Sequence, residues 1–162
     1  MTNTEPRPAG GLSATVTRRV EWIDTDASGH HHNALVWRLA ESAERALLAQ
    51  AGVLEEYFWA APRVHQEADF TATLHFDQEV TCTLTVEKLG RASITFAFEV
   101  WGEARDGEPR RRAASGRIVA AHVPSGAERA APWPPTIAAA LDPAREPNPR
   151  PTRTDLTRTE PN

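Results

Sequence analysis

The side chains best suited to chemistry lie close together in residues 24–33, which read DTDASGHHHN. This stretch contains two carboxylates, one glycine and three consecutive histidines. Residues of these types can hold a metal ion, cradle a phosphate, or carry out acid–base and nucleophilic reactions. The spacing of the residues distinguishes between these possibilities, because each chemistry needs its groups to converge in a different way.

A zinc site is a poor explanation for the three adjacent histidines. Zinc needs ligands that converge on one point, whereas neighbouring residues of a strand or helix point apart, so at most two of the three could reach one ion. The other histidines fall in predicted strands without ligand-like spacing; they are His65, His75 and His122. We therefore predict no metal site, and solvated loop histidines explain at least one of the three.

Phosphate binding is also weakly supported, which leaves the two carboxylates. Gly29 alone does not make a glycine-rich loop, and the flanking aspartates would repel a phosphate. Asp24 and Asp26 are two residues apart, so they share one face of an extended segment. In a turn before a helix, one could instead cap the helix while the other faces a cleft. The spacing of the two aspartates alone does not distinguish a purely structural turn from a turn that carries a catalytic carboxylate.

The motif lies between a predicted strand and a predicted helix. Residues 14–23 alternate in polarity, which predicts a half-buried strand with one face formed by Val16, Val20 and Trp22. Residues 33–51 contain neither glycine nor proline and predict a long, mostly buried helix. The glycine that follows at position 52 is suited to end this helix in a left-handed conformation.

Four further runs rich in β-forming residues follow the predicted helix. Their connections, FDQE, LGR and ARDGEPRR, contain the glycine, aspartate and proline that favour tight reversals. The predicted strands are residues 63–76, 79–89, 92–101 and 112–123. PWPPTIAAAL near the end predicts a short helix that begins at proline. One long helix against a largely antiparallel sheet gives the fold class α+β.

Length and composition predict one globular domain. The chain has 162 residues, of which 40% are hydrophobic, enough for a single core. We place the domain at residues 13–142, between disordered tails at 1–12 and 143–162 that are rich in proline and polar residues.

Charge and targeting features restrict the classes of partner that the protein could bind and the compartment in which we expect it. A formal net charge of -4 provides no basic surface for nucleic acid, and no apolar run approaches the roughly 20 residues that membrane insertion requires. The N-terminus lacks the pattern of a secretory signal, and the single cysteine, Cys82, cannot form an internal disulfide. We expect a cytoplasmic protein that binds neither nucleic acid nor membranes.

The segment VEWIDTDASGHHHNALVWRLAESAERALLAQAG resembles the opening of the 4-hydroxybenzoyl-CoA thioesterase-like branch of the hotdog superfamily. In that branch a strand leads into D-x-D-x-x-G and then into a long central helix. The resemblance continues through FDQEVTCTLTVEKLGRASITFAFEV and GRIVAAHV to PWPPTIAAAL, so it covers about residues 14–141. It implies a hotdog fold, in which an antiparallel five-stranded sheet wraps around one long central helix, and an acyl-CoA thioesterase activity.

The resemblance also implies catalytic roles. The second aspartate of the motif is catalytic in this branch and corresponds to Asp26, which would act as nucleophile or general base. Backbone N–H groups between Gly29 and Asn33, at the positive end of the helix dipole, would polarise the thioester carbonyl, and the Asn33 N–H is the first candidate. Some relatives carry histidine at the Asn33 position, so His31 or a neighbouring histidine is expected to assist here. Asp24 is assigned to the structure of the turn.

Substrate binding and assembly are implied in the same way. Lys88 and Arg91 lie at a predicted hairpin where relatives place phosphate-binding residues, and they are candidates to contact coenzyme A. His30 is a further binding candidate beside the thioester, and Trp37 a candidate wall of the acyl pocket. No cofactor is expected. The family pairs its protomers, so we expect a homodimer or homotetramer whose active sites use two chains.

Two other functions fit parts of the pattern. Enoyl-CoA hydratases of the same superfamily use an aspartate and a histidine with the interval found between Asp26 and His31, although they usually place Asn-Pro in a gap that here reads ASGH. A protein that binds acyl-CoA or an acyl carrier without catalysis would use the same pocket. Asp26 favours the thioesterase, because a binding protein needs no carboxylate beside a thioester.

Overall fold

The computed structural model describes residues 11–144. The predicted disordered tails, residues 1–12 and 143–162, fall almost entirely outside this range. The elements in chain order are β1 (Ser13–Arg19), a 3-10 helix (Trp22–Asp24), α1 (Ala34–Ala51), α2 (Leu54–Phe58), β2 (Arg63–Phe70), β3 (Glu79–Leu89), β4 (Ser93–Gly102), β5 (Arg111–Ala121) and α3 (Pro135–Ala140).

The five strands form one antiparallel sheet in the order β1-β3-β4-β5-β2. The long helix α1 packs mainly against β1 and β3 and also touches β4. This arrangement confirms the predicted hotdog fold, with a single long helix held by an antiparallel sheet. The two edges of the sheet are β1 and β2.

The period-two pattern of the sequence explains the core. Alternate residues of β3 and β4 are buried, and they face α1, which buries one side of its own. The main contributors are Val80, Cys82, Leu84, Ile94, Phe96, Phe98, Leu35, Leu39, Ala43 and Leu47. Gly52 ends α1 with φ of 75°, in the left-handed conformation that the sequence predicted.

The strand predicted at residues 14–23 ends earlier, at Arg19, so the prediction that Trp22 shares a strand face with Val16 and Val20 is wrong. The Trp22 side chain is 78% exposed. The reason is local: the Glu21 N–H donates to the Asp24 carboxylate at 2.9 Å, and the Thr25 N–H donates to the Trp22 carbonyl at 3.1 Å. These bonds turn the backbone into a 3-10 helix and out of the strand ladder.

Two further boundaries differ from the sequence prediction. The strand predicted at residues 63–76 ends at Phe70, because the N–H groups of Thr71 and Ala72 both donate to the Ala113 carbonyl, at 2.8 and 3.3 Å. The segment between α1 and β2 contains the short helix α2, which the sequence did not predict. Within residues 11–144, no helix combines the length and apolar character needed to cross a membrane.

Candidate active site

The loop from β1 to α1 is held in place by Asp24. Its carboxylate is buried, accepts the Glu21 N–H and forms an ion pair with Arg38 of α1. Its carbonyl accepts the His32 N–H at 2.6 Å. Asp24 therefore ties the loop to the first turns of α1, which agrees with the structural role assigned to it.

Asp26 is placed very differently, in an exposed turn. Its carboxylate accepts hydrogen bonds from the Ser28 hydroxyl and, at 2.8 Å, from the Ser28 N–H. These two bonds are the main causes that lower the pKa of Asp26 below its usual value, so the carboxylate is ionised at neutral pH. Gly29 continues the turn with φ of 76° and donates its N–H to the Asp26 carbonyl at 3.0 Å. A glycine suits this position because other residues adopt such a φ at a cost.

His30 extends the polar chain that begins at Asp26. Its Nδ1 lies 3.2 Å from the Ser28 hydroxyl oxygen, so Asp26, Ser28 and His30 form a linked series. The His30 ring also meets His75 edge to face, with 6.0 Å between the ring centroids. The geometry places His30 beside the carboxylate, connected to it through the Ser28 hydroxyl.

The His31 ring is hydrogen-bonded to the segment before β3. Its Nδ1 accepts the Leu74 N–H at 3.0 Å, which places the proton of the neutral ring on Nε2. Burial is the main cause that lowers the pKa of His31, so the ring is neutral at pH 7. Within the described residues, no hydrogen bond joins the side chains of His31 and Asp26, although the Asp26 charge acts on His31 and partly opposes the lowering of its pKa.

The third histidine of the run supports the start of α1. His32 accepts the Ala34 N–H on its Nδ1 at 3.1 Å and the Leu35 N–H on its carbonyl at 2.9 Å. The three consecutive histidines therefore bind to three different parts of the protein. No group of three or more metal-binding side chains is assembled anywhere in residues 11–144.

The backbone between Gly29 and Asn33 offers one free N–H group to a ligand. The Gly29, His31 and His32 N–H groups donate to protein carbonyls, and the His30 N–H faces the Asp26 carboxylate, where it helps to lower the pKa. The Asn33 N–H has no hydrogen-bond partner within the described part of the chain.

The carboxylate and this free donor belong to one compact loop. A bridge between Thr25 and His31 folds the Asp26 turn back alongside the segment that leads into α1. The Asn33 N–H lies where α1 begins, at the positive end of the helix dipole. An ionised carboxylate and an available backbone donor therefore share the loop.

The remaining predicted binding residues lie elsewhere. Trp37 packs edge to face on Phe98 of β4, with 5.7 Å between the ring centroids, and is half buried against the core. Lys88 and Arg91 are at the β3–β4 hairpin. The β1–α1 loop is bonded to the other end of β3, where the Val20 N–H donates to the Gln78 carbonyl. A strand as long as β3 spans about 30 Å, so one chain does not bring Asp26 and the hairpin together.

A groove of about 570 Å³ runs beside α1 and starts next to the Asp24–Arg38 ion pair. We call it the arginine groove, because its lining includes Arg18, Arg38, Arg45 and Arg63 together with the apolar side chains of Leu35 and Leu39. Sequence analysis did not single out these arginines, which are scattered over two strands and the helix. It also missed Ser28, although a serine two residues after an aspartate is a common turn pattern that the sequence displays.

Comparison with protein families gives one match, to the model described as the thioesterase-like superfamily, over residues 20–141. No match is found among curated protein sequences.

Solved structures of similar fold include 4-hydroxybenzoyl-CoA thioesterase from Pseudomonas sp. strain CBS-3, at 21% identity and a TM-score of 0.69 over 80% of this chain and 99% of that one. A thioesterase from Thermus thermophilus, complexed with coenzyme A and zinc, is 23% identical, with a TM-score of 0.69 over 82% of this chain and 92% of that one. A 1,4-dihydroxy-2-naphthoyl-CoA thioesterase from Synechocystis is 20% identical, with a TM-score of 0.67 over 80% and 95%.

Proposed function

Because the chain belongs to the thioesterase-like superfamily, we propose that this thioester hydrolase cleaves acyl-CoA thioesters with Asp26 as its nucleophile or general base. The observation that carries the proposal is the placement of Asp26. Its carboxylate is exposed, held by Ser28 and ionised, in the same loop as the available N–H group of Asn33. An anionic oxygen and a backbone donor at a helix start suit thioester hydrolysis, which needs a base or nucleophile and a group that stabilises an oxyanion.

Two reaction courses use this geometry. As a base, Asp26 takes a proton from water while the resulting hydroxide adds to the thioester carbonyl, and the CoA thiolate then leaves with a proton. As a nucleophile, an Asp26 oxygen adds to the carbonyl and expels the thiolate, and water then hydrolyses the mixed anhydride. In both courses the carbonyl oxygen becomes negatively charged, and the Asn33 N–H is suited to stabilise it.

One structural relative supports the choice of residue. An aspartate-to-asparagine mutant of 4-hydroxybenzoyl-CoA thioesterase, complexed with 4-hydroxybenzoyl-CoA, has a TM-score of 0.69 to this chain at 19% identity, over 80% of this chain and 99% of that one. In that structure, an aspartate has been replaced by asparagine and the thioester is bound to the protein. We propose that Asp26, the exposed aspartate of the loop, is the aspartate on which hydrolysis depends in this chain.

The position of the candidate phosphate-binding residues favours a shared active site. Lys88 and Arg91 lie at the opposite end of β3 from the Asp26 loop of the same chain. If Lys88 and Arg91 contact the nucleotide of a coenzyme A thioester, the thioester group of that same molecule is bound at Asp26 of another protomer. We therefore propose a homodimer or homotetramer as the active form.

The decisive experiment compares Asp26→Asn with the native protein in a thiol-release assay on a panel of acyl-CoA thioesters. We expect hydrolysis to fall by about 100-fold or more, because proton transfer and nucleophilic attack are both lost. The fold should be retained, since the side chain is exposed and asparagine can still accept the Ser28 bonds.

Asp142→Asn is a matched control. Asp142 is also an exposed aspartate that accepts the N–H two residues later, from Ala144 at 2.9 Å. Undiminished turnover in Asp26→Asn would refute the assignment of Asp26. Equal loss in both variants would point to a general effect of removing a turn carboxylate.

A further inference from the structure

The arginine groove contains more positive charge than its own carboxylates neutralise. Arg38 is paired with Asp24, and Arg63 with Glu44 and, at 3.7 Å, with Glu41. Two more arginines of the lining lack such partners. They are Arg18 and Arg45.

Glu21 and Glu41 also line the groove, but among the described residues neither forms an ion pair with Arg18 or Arg45. Arg18 makes only a 3.4 Å bond to the Ser42 hydroxyl, and it has no acidic partner within residues 11–144. Arg45 has no hydrogen-bond or ion-pair partner in the same range. Two guanidinium groups are therefore available to an anion.

The groove also has an apolar part. This apolar part is formed by Leu35 and Leu39 of α1 and by Phe58 of α2. Ile23 lines the groove beside the Asp24 turn. Phe58 and Ile23 are exposed, so part of this apolar surface is in contact with solvent. A volume of about 570 Å³ is in the range of small-molecule sites. The groove thus suits a ligand that has both an apolar body and a negatively charged group.

We propose that the arginine groove binds an anionic group of the thioester substrate, with Arg18 and Arg45 as the residues that select for it. This inference rests on the proposed function and deepens it by naming a substrate class. Guanidinium groups bind carboxylates and phosphates through charge-assisted hydrogen bonds, so the chemistry is that of an anionic oxygen group.

The layout of the groove favours a carboxylate at the far end of the acyl group. The groove begins at Asp24, two residues from Asp26, and follows α1 as far as Arg45. Arg45 lies eleven residues beyond the first residue of α1, which corresponds to about 16 Å along the helix. An acyl group that starts at the thioester would pass Leu35 and Leu39 before its end meets Arg45. The phosphates of coenzyme A are the second source of the same chemistry.

Four substrates separate the two sources. Dodecanedioyl-CoA and dodecanoyl-CoA have acyl chains long enough to follow α1 and differ by the terminal carboxylate, and the corresponding N-acetylcysteamine thioesters lack the phosphates. The variants are Arg18→Gln, Arg45→Gln and the charge-retaining Arg45→Lys. Arg129→Gln is the control, because Arg129 is exposed, lies outside the groove and has no acidic partner among the described residues.

If the acyl carboxylate is bound, the native protein prefers the dodecanedioyl group on both thiol carriers. Arg45→Gln then lowers kcat/KM for the dodecanedioyl substrates by about tenfold to one hundredfold, mainly through KM, and Arg45→Lys restores part of it. If the phosphates are bound, the glutamine variants lower kcat/KM for both CoA esters and leave both N-acetylcysteamine esters unchanged. Either result supports the groove as an anion subsite.

Equal changes on all four substrates, no change on any, or the same change in Arg129→Gln would overturn the inference. Binding of the four compounds to Asp26→Asn provides a second readout that does not depend on turnover. If the native protein hydrolyses no thioester, the proposed function fails, while selective binding of the anionic compounds would still support the groove. An altered oligomeric state of the arginine variants without any change in substrate preference would also contradict it.

Discussion

Ser28 lowers the pKa of the candidate catalytic carboxylate. Its hydroxyl is the largest cause of the lowered pKa of Asp26, followed by its N–H. The proposed mechanism requires the ionised form of Asp26, so we expect activity to fall as the pH drops through its pKa. Ser28→Ala removes the hydroxyl, raises the pKa of Asp26 and should move the acidic limb of the kcat/KM profile to higher pH.

Ser28→Thr is the matched control, because threonine keeps a hydroxyl at the same position. Its acidic limb should stay close to that of the native protein. If Ser28→Ala lowers activity equally at every pH, Ser28 positions the loop without tuning the carboxylate. The profile is measured by thiol release over the acidic range with one acyl-CoA.

Individual residues of the site could be predicted only in part. The motif D-x-D-x-x-G singles out Asp26 and Gly29, and the placement of Asp24 inside the turn agrees with the role assigned to it. The directions of the three histidines could not be predicted, because they depend on partners distant in sequence. His31, for example, is oriented by the backbone of Leu74, more than forty residues later.

At the level of elements, one buried ion pair connects α1 to β2. Glu44 is 1% exposed, and its carboxylate is paired with Arg63 at the first residue of β2. Arg63→Met should destabilise the fold by about 3 kcal/mol, because it leaves a buried carboxylate without its partner. Urea denaturation measures the loss, and Glu44→Gln/Arg63→Met should recover part of it.

The same pair predicts a pH dependence of stability. Burial raises the pKa of Glu44 above its usual 4.5, and Arg63 opposes this rise. A carboxyl group whose pKa is higher in the folded state loses stabilisation as the pH rises from the unfolded to the folded pKa. Arg63→Met raises the folded pKa further, so the variant should lose more stability than the native protein as the pH rises above 4.5. Parallel curves of unfolding free energy against pH for the two proteins would show that Arg63 does not control the charge of Glu44.

A close approach of β5 and β2 depends on a single glycine. A Cβ atom at Gly116 would lie 2.1 Å from the Glu67 carbonyl oxygen and 2.8 Å from the Phe98 ring. Gly116→Ala should therefore lower stability by about 3 kcal/mol, since backbone and core must both shift. Gly107→Ala is a useful comparison, because that position has space but a φ of 83°, so its cost comes from backbone conformation alone. Similar melting temperatures for Gly116→Ala and the native protein would contradict the predicted clash.

Most elements follow from the local sequence, and the exceptions have local causes. The predicted bounds of β3, residues 79–89, agree with the structure, because period-two burial extends over most of the strand. The predicted end of β1 is wrong because the Asp24 carboxylate accepts a backbone N–H three residues earlier, which no periodicity reveals. The helix α2 has only five residues, too short for an amphipathic pattern to emerge.

At the scale of the whole molecule, the two edges of the sheet differ in character. On β2, Val64 is 61% exposed and Phe70 is 47% exposed, whereas the exposed part of β1 carries threonine and arginine side chains. An exposed apolar edge strand is a ready site for pairing with another chain. The resemblance to a family of paired protomers predicted an oligomer, but the choice of edge required the sheet order, which places β2 beside β5 and leaves its other side open.

We therefore predict that two copies of the chain associate along β2 and that this contact is needed for activity. The native protein should sediment with at least twice the 17.8 kDa chain mass. Val64→Lys should reduce the apparent mass towards that of the monomer and lower specific activity, because charge on the edge opposes strand pairing and separates the Asp26 loop from the partner's hairpin.

Thr15→Lys places the same charge on the exposed face of β1 and should leave both mass and activity unchanged. A monomer with full activity at every dilution would exclude a shared site, and dissociation caused by Thr15→Lys alone would place the contact on the opposite edge.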